Sequence, residues 1–380
     1  MSLADLRVRR GRGAYDGLPT AQPARQGCAR PRERAMSLAP DQLTETPFRR
    51  AVPGPAALDV LSDALRVVRA SGALLLRGEF TGSWAVATPD SSAIARIVCP
   101  GGARLAIMHL LAEGDCWIAL PGRERVRLAT GELVLFPRGD AHLLGSGDHA
   151  AVVPVSALLP PAPWTELPVL RHGGGGERAR IVCCYLRCDD LLFTPFLEPL
   201  PPVLHLRADG GSTHEWVSAS IRYVIAESTR GGPGSGALVG KLTELLFIEA
   251  LRREMCSLPE TSVGWLAALR DEYVSRALQA FHARPGRAWT VEGVAREAGL
   301  SRSALVARFQ RVLAKTPMQY LTTWRLQLAA NRLLATSETV AAIAHAVGYG
   351  SEVALSHAFK RVTGVSPAAW RRSHRRSGTT

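Results

Sequence analysis

The sequence predicts an α+β chain in two parts. A small antiparallel β-barrel with a helical segment comes first, followed by an all-helical domain of two similar helix–turn–helix units joined by a long helix. Three observations carry this. Short apolar runs, broken by Gly, Pro and Asp every 8 to 12 residues, fill about 72–160. From about 190 the apolar period becomes helical. Residues 290–320 then return, close to unchanged in pattern, at 339–370.

A chain of 380 residues has room for two or three domains with their own cores. Apolar residues make up 47% and charged residues 21%, a folded and not a disordered composition. No window approaches 18 uninterrupted apolar residues, and the N-terminus has no apolar stretch of signal-peptide length. The expected location is cytoplasmic, with no membrane partner. The net charge of +13 is uneven. Residues 262–380 hold 17 Arg/Lys against 6 Asp/Glu, residues 1–35 hold 8 against 3, and residues 36–261 hold 21 against 24. A basic C-terminal segment beside a near-neutral middle is the footprint of a domain that meets polyphosphate. The bland alternative is an Arg-rich composition, 43 Arg against 3 Lys, but the asymmetry between segments favours the first. Seven cysteines, an odd number at irregular spacing, argue against a disulfide framework.

Taken in order, residues 1–35 are Arg-, Gly- and Pro-rich and read as disordered, either a basic arm or a mis-called start ahead of Met36. Ala57, Leu58, Leu61, Leu65 and Val68 mark an amphipathic helix over 55–70. The runs GALLLRGEF, SWAVATP, RLAIMHLLAEGDCWIAL, RVRLATGELVLFPRG and AAVVPVSALL are the barrel strands, and RARIVCCYLRC is a further strand beyond Gly173–Gly176. Residues 191–260 read as a helical, dimerising segment. Ser212 caps one helix through Glu227, and a second runs Ala237–Cys256, with Leu238, Leu242, Leu245 and Leu246 as its apolar stripe and Glu249 and Arg253 on a charged side.

The repeat makes physical sense unit by unit. TVEGVAREAGL at 290–300 aligns with TVAAIAHAVGY at 339–349, and SRSALVARFQRVLAKTPMQY at 301–320 aligns with SEVALSHAFKRVTGVSPAAW at 351–370. The offset is 49 before the turn and 50 after it, Gly350 being the extra residue. Thr290 and Thr339 cap the first helix of each unit, and Ser301 and Ser351 cap the second. Gly299 and Gly348 stand where a left-handed turn residue is needed. Leu305 with Phe309, and Leu355 with Phe359, form the inner face of the second helix. Thr316-Pro317 and Ser366-Pro367 are further helix starts, and a long helix, Met318–Ala335, joins the units.

With these residues in place, 265–373 resembles the DNA-binding domain of the AraC/XylS family of bacterial transcription regulators. That resemblance implies two recognition helices entering successive major-groove segments. The outward residues of the first are Arg302, Ser303, Val306 and Ala307, with Gln310 and Arg311 nearer the backbone. Those of the second are Glu352, Val353, Ser356 and His357, with Lys360 and Arg361 behind. Arg302 suits guanine O6 and N7, with a phosphate contact as the alternative. Glu352 suits a cytosine amine or, equally, the helix dipole. Lys360, Arg361, Arg371 and Arg372 are expected at phosphates.

Gly131 to His142, GELVLFPRGDAH, has the form of the second cupin motif, G(X)5PXG(X)2H. The region 55–260 resembles the cupin-type sensory domain of one AraC-family subgroup, through SGALLLRGEF, GDCW, RGDAH and GGGGERARIVC. The first cupin motif is incomplete: His109 is present, but Leu111 replaces its usual partner. His109 and His142, with Cys116 or Glu113, are a weak metal set, and no cofactor is called for. Cys116, Cys183, Cys184 and Cys188 are the candidate redox residues, because Arg180 and Arg187 can lower a nearby thiol pKa. The expected protein is a homodimeric regulator that binds double-stranded DNA, responds to a small molecule or redox signal, contacts RNA polymerase and is not an enzyme. The rival reading is a cupin-fold metalloenzyme with a helical appendage.

Overall fold

The computed structural model describes residues 59–67, 70–98, 104–161, 164, 166–188, 200–207 and 212–376. The proposed N-terminal arm, Cys28 and Cys99 lie outside them. Strand residues alternate apolar side chains across the sheet plane, and this alternation places the core. Leu105, Ile107 and Leu111 of β3 (Arg104–Glu113) point one way, and Ala106, Met108 and Leu110 the other. Ile181 and Cys183 of β10 (Arg178–Cys188) oppose Val182, Cys184 and Leu186 in the same manner. Both faces of these strands are buried, so they are the centre of a layered structure and not a half-solvated edge.

The strands form two ladders and not one closed barrel. A six-stranded sheet has the order β11-β6-β3-β10-β1-β9, and a five-stranded sheet the order β5-β4-β7-β2-β8. The first contains β1 (Ala70–Thr81), β3, β6 (Leu133–Phe136), β9 (Val169–Gly173), β10 and β11 (Leu204–Leu206). The second contains β2 (Trp84–Thr88), β4 (Asp115–Ala119), β5 (Val126–Ala129), β7 (His142–Ser146) and β8 (Val152–Pro154). One apolar core joins the facing sides of both sheets, through Ile107, Phe136 and Ile181 from the first and Val86, Ile118 and Leu144 from the second. Ladder pairing is antiparallel except for β1 with β9 and β2 with β8.

Three elements depart from the sequence expectation. The first helix begins after Asp59, α1 at Val60–Val67, burying Val60, Leu61 and Ala64, while Ala57, Leu58 and Val68 lie outside the described residues. A helix, α2 (Ser91–Val98), interrupts the strands. It buries Ile94 and Ala95 and is pinned by Ser91 N–H donating to the Gly139 carbonyl. Residues 191–260 are not wholly helical, because β11 pairs with β6.

The outer face of the six-stranded sheet is covered by α3 (Ser212–Arg230) and α4 (Ser235–Ser257). The predicted stripe on α4 is shifted in phase. Val239, Thr243, Leu246, Phe247, Ala250 and Leu251 are buried, whereas Leu238 and Leu245 are exposed. Glu249 is buried too, bonded by Arg253 at 3.1 Å. The physical reason is a close backbone approach. A Cβ on Gly240 would lie 2.4 Å from the carbonyl oxygen of Gly72 in β1, so the glycine side of the helix faces the sheet.

The remainder is helical: α5 (Trp265–Arg270), α6 (Glu272–Ala283), α7 (Val291–Ala298), α8 (Arg302–Leu313), α9 (Pro317–Ala335), α10 (Val340–Ala346), α11 (Glu352–Thr363) and α12 (Pro367–Arg376). The caps predicted within the repeat are made. Thr290, Ser301, Thr339, Ser351 and Ser366 accept from the backbone N–H three residues on, and Thr316 forms a reciprocal capping box with Gln319. The turn glycines Gly299 and Gly348 sit at φ 78° and 93°.

Candidate functional site

The second helices of the two units, α8 and α11, have the same pattern of exposure at an offset of 50. Positions 301–304 and 351–354 are exposed, as are 307 and 357, and 310 and 360. Leu305 and Phe309, and Leu355 and Phe359, are fully buried. One apolar face seats each helix, and the face presented outward is the one a groove would meet. Arg302, Ser303, Ala307, Gln310 and Arg311 are exposed on α8, with Val306 half-buried. Glu352, Val353, His357, Lys360 and Arg361 are exposed on α11, with Ser356 half-buried. Val353 is 65% exposed, an apolar group left in water in the first turn. Arg302 is not a bare cation, since its Nε lies 3.2 Å from Glu292 Oε1 in an exposed pair.

Several arginines are structural. Arg308 Nε donates to both carboxylate oxygens of Asp271, at 2.8 and 2.7 Å, and Arg311 lies 4.0 Å from the same group. Arg325 donates to the carbonyls of Pro285 and Arg287. Arg371 corrects the phosphate expectation. Its guanidinium donates to the carbonyls of Leu333 and Glu338, at 3.0 and 2.6 Å, satisfying the chain around the end of α9. Arg372 is exposed.

The two sheets and α2 line an open-mouthed cavity of about 340 Å³. Its walls are aliphatic and aromatic, and His109 and Cys183 stand at its side. The register of β3 on β10 sets these two residues directly opposite each other. His109 Nδ1 is 2.8 Å from Cys183 Sγ, His109 Nε2 is 2.7 Å from His142 Nε2, and His142 Nδ1 is 2.8 Å from the Asp140 carbonyl. A carbonyl only accepts, so the proton positions follow along the chain. His142 Nδ1–H donates to Asp140, His109 Nε2–H donates to His142, and the Cys183 thiol donates to His109. Burial keeps every member neutral. It drives His109 well below the ordinary imidazole value, with His142 adding, and lowers His142 to about 4. It also pushes the Cys183 thiol far up. Phe136 stacks on the His142 ring at 3.8 Å between centroids.

This geometry does not suit the metal that cupin folds often hold. Two imidazole ligands of one tetrahedral ion stand roughly 3.3 Å apart, given metal–nitrogen bonds of about 2.0 Å. Here the two nitrogens share a proton at 2.7 Å. Cys116 and Glu113 do not complete a set, and among the described residues no group of three or more His, Cys, Asp or Glu side chains is arranged to hold a metal ion.

Cys116, Cys183 and Cys184 are inward, and burial favours their protonated form. Cys183 and Cys184 alternate faces, one toward the cavity and one toward α4, and both are buried. Burial raises Cys116 and Cys184 to about 12. Arg180, expected to lower a thiol pKa, pairs instead with Glu113. Cys188 ends β10.

Sequence reasoning missed a second buried relay. His282 Nδ1–H donates to Asp63 Oδ2 at 2.8 Å, Tyr320 O–H donates to His282 Nε2 at 2.8 Å, and Trp265 Nε1–H donates to the Tyr320 oxygen at 3.4 Å. No local signal marks these partners, which are 38 to 219 residues apart.

The chain matches the cupin family over residues 59–256 and a helix-turn-helix domain over 294–373. It is 33% identical over 319 residues to an AraC-like transcription regulator of Streptomyces lividans, covering 83% of this chain and 98% of that one. It is 31% identical to the HTH-type transcriptional regulator AlkR of Acinetobacter baylyi, over 70% of this chain and 87% of AlkR. Among solved structures, it is similar to the DNA-binding domain of AdpA in complex with a target DNA. The identity is 30%, the coverage 29% of this chain and 99% of that one, and the TM-score 0.28. The two family matches fall on the same two parts that the caps, turns and sheets define, and with the two relatives they show that the chain belongs to the AraC family of DNA-binding transcription regulators, with a cupin domain preceding its helix-turn-helix domain.

Proposed function

We propose that this regulator reads a specific operator through α8 and α11 and changes its hold on DNA when a small molecule occupies the cavity between the sheets. The observation that carries the DNA reading is the matched exposure of the two helices at an offset of 50. Arg302, Ser303, Val306 and Ala307, with Glu352, Val353, Ser356 and His357, face base edges, while Gln310, Arg311, Lys360 and Arg361 meet the backbone. The apolar cavity favours a small-molecule signal over a thiol switch at Cys116, Cys183 or Cys184, because burial raises these three thiol pKa values and opposes the reactive thiolate.

A homodimer belongs to the same reading. Trp216 and Tyr223 on α3, and Leu238 and Leu245 on α4, are 40 to 48% exposed and spaced by seven on each helix. The dimer works in the cytoplasm and activates by contacting RNA polymerase. No helix among the described residues is long and apolar enough to cross a membrane. Footprinting of the purified chain on its own upstream region tests the proposal. Two protected major-groove segments on one face of the DNA are expected, and failure to bind any genomic fragment even at low salt overturns it.

A further inference from the structure

We infer that the cavity between the sheets takes a monoanionic amphiphile, its hydrocarbon body filling the cavity and its head pairing with Arg96 at the rim. This rests on the effector reading above and names the ligand class for that site. Size comes first. A volume of about 340 Å³ lies at the small end of ligand sites and holds roughly eleven groups of about 30 Å³ each.

Polarity comes second. Among the described residues that line the cavity, Thr88, Ser156, His109 and Cys183 are polar and Arg96 is the one that is charged. His109 and Cys183 have nothing to offer a ligand. Both ring nitrogens and the thiol proton are used in the relay that ends on the Asp140 carbonyl. A sugar or amino acid placed there would strip several polar atoms of water and find two hydroxyls in return, losing about tenfold in affinity for each unpaired group. An alkyl or aromatic body meets Leu75, Ile107, Leu144 and Ile181 and loses nothing polar.

Charge comes third. Arg96 lies in the last turn of α2, exposed, beside Ile97, which is 47% exposed. Asp90, which precedes α2 and is the carboxylate that feels Arg96, is already held by the hydroxyl and amide of Ser92. Arg96 both lines the cavity and is exposed, so its long side chain can bring a guanidinium to an anionic head that leaves the apolar hole. An exposed ion pair of this kind contributes about two- to fivefold in affinity and is screened by salt.

Isothermal titration of the full chain with decanoate, 1-decanol and butanoate tests this, with a DNA gel-shift on the same preparation. Decanoate is expected to bind one per chain, 1-decanol two- to fivefold more weakly, and butanoate not at all. Arg96→Gln, on an exposed helix face, is expected to bring decanoate to the level of 1-decanol and leave 1-decanol unchanged. The ligand class is overturned if a chain that still shifts DNA binds no decanoate or binds many per chain. It is also overturned if the acid–alcohol difference survives Arg96→Gln. Loss of the gel-shift instead counts against the regulator reading.

Discussion

Asp63 and His282 are 219 residues apart in the chain and 2.8 Å apart in space. The contact ties α1, which leads into the cavity-lining strand β1, to α6 of the helical part. His282 passes the bond on to Tyr320 of α9 and stacks on Trp324 at 3.9 Å. Removing a partner leaves a buried imidazole N–H without an acceptor, which costs about 1–3 kcal/mol. Asp63→Ala is therefore expected to lower Tm by several degrees, with Asp63→Asn, whose amide oxygen still accepts, losing less. Thermal melts by circular dichroism check this. An unchanged Tm in the Asp63→Ala chain would show that the bond is not formed in solution.

Stability is expected to fall as pH drops below about 6.5. His142 is neutral when folded, with its pKa lowered by burial to about 4, whereas the unfolded residue titrates near 6.5. Between those values the unfolded chain binds the proton and the folded chain refuses it, so acid favours unfolding. At pH 5 the loss from His142 alone is about 2 kcal/mol. His109 and His282, lowered mainly by the same desolvation, act in the same direction. Urea melts at pH 7 and pH 5 measure the difference, and a flat profile would contradict the neutral relay.

The two outward faces are expected to respond differently to truncation. Arg302→Ala should cost about 1–3 kcal/mol at one base pair and relax the preference there. Lys360→Ala should weaken binding to all sequences alike and lower the slope of log affinity against log salt by about one. Gel-shifts on single-base operator variants across a salt series separate the two. Equal losses of Arg302 affinity on every variant would assign that residue to phosphate.

Arg371 and Arg372 are neighbours with opposite expected phenotypes. Arg371→Ala removes the donor to the Leu333 and Glu338 carbonyls and should lower stability by about 1–3 kcal/mol. Arg372→Ala changes an exposed side chain and should leave Tm within a degree or two while weakening DNA binding. Paired melts and gel-shifts on the two variants decide it, and a Tm drop confined to Arg372→Ala would reverse the assignment.

The sequence by itself determined the capped helix starts and the turns of the two duplicated units, and hence the DNA-binding class. The reason is locality. A cap such as Ser301 onto Ala304, or a left-handed turn at Gly299, is settled within three or four residues, so the local sequence declares it. The short apolar runs of β3, β6 and β10 were legible as strands for the same reason. The tertiary structure alone decided which face of α4 meets the sheet, because Gly72 and Gly240 must approach each other across 168 residues before the phase is set. It alone decided that Arg371 holds two carbonyls and that Arg308 holds Asp271. It also alone set His109 between Cys183 and His142, with every hydrogen-bonding atom spent. That last arrangement depends on the β3–β10 register and on the meeting of the two sheets, and it left the cavity beside it apolar.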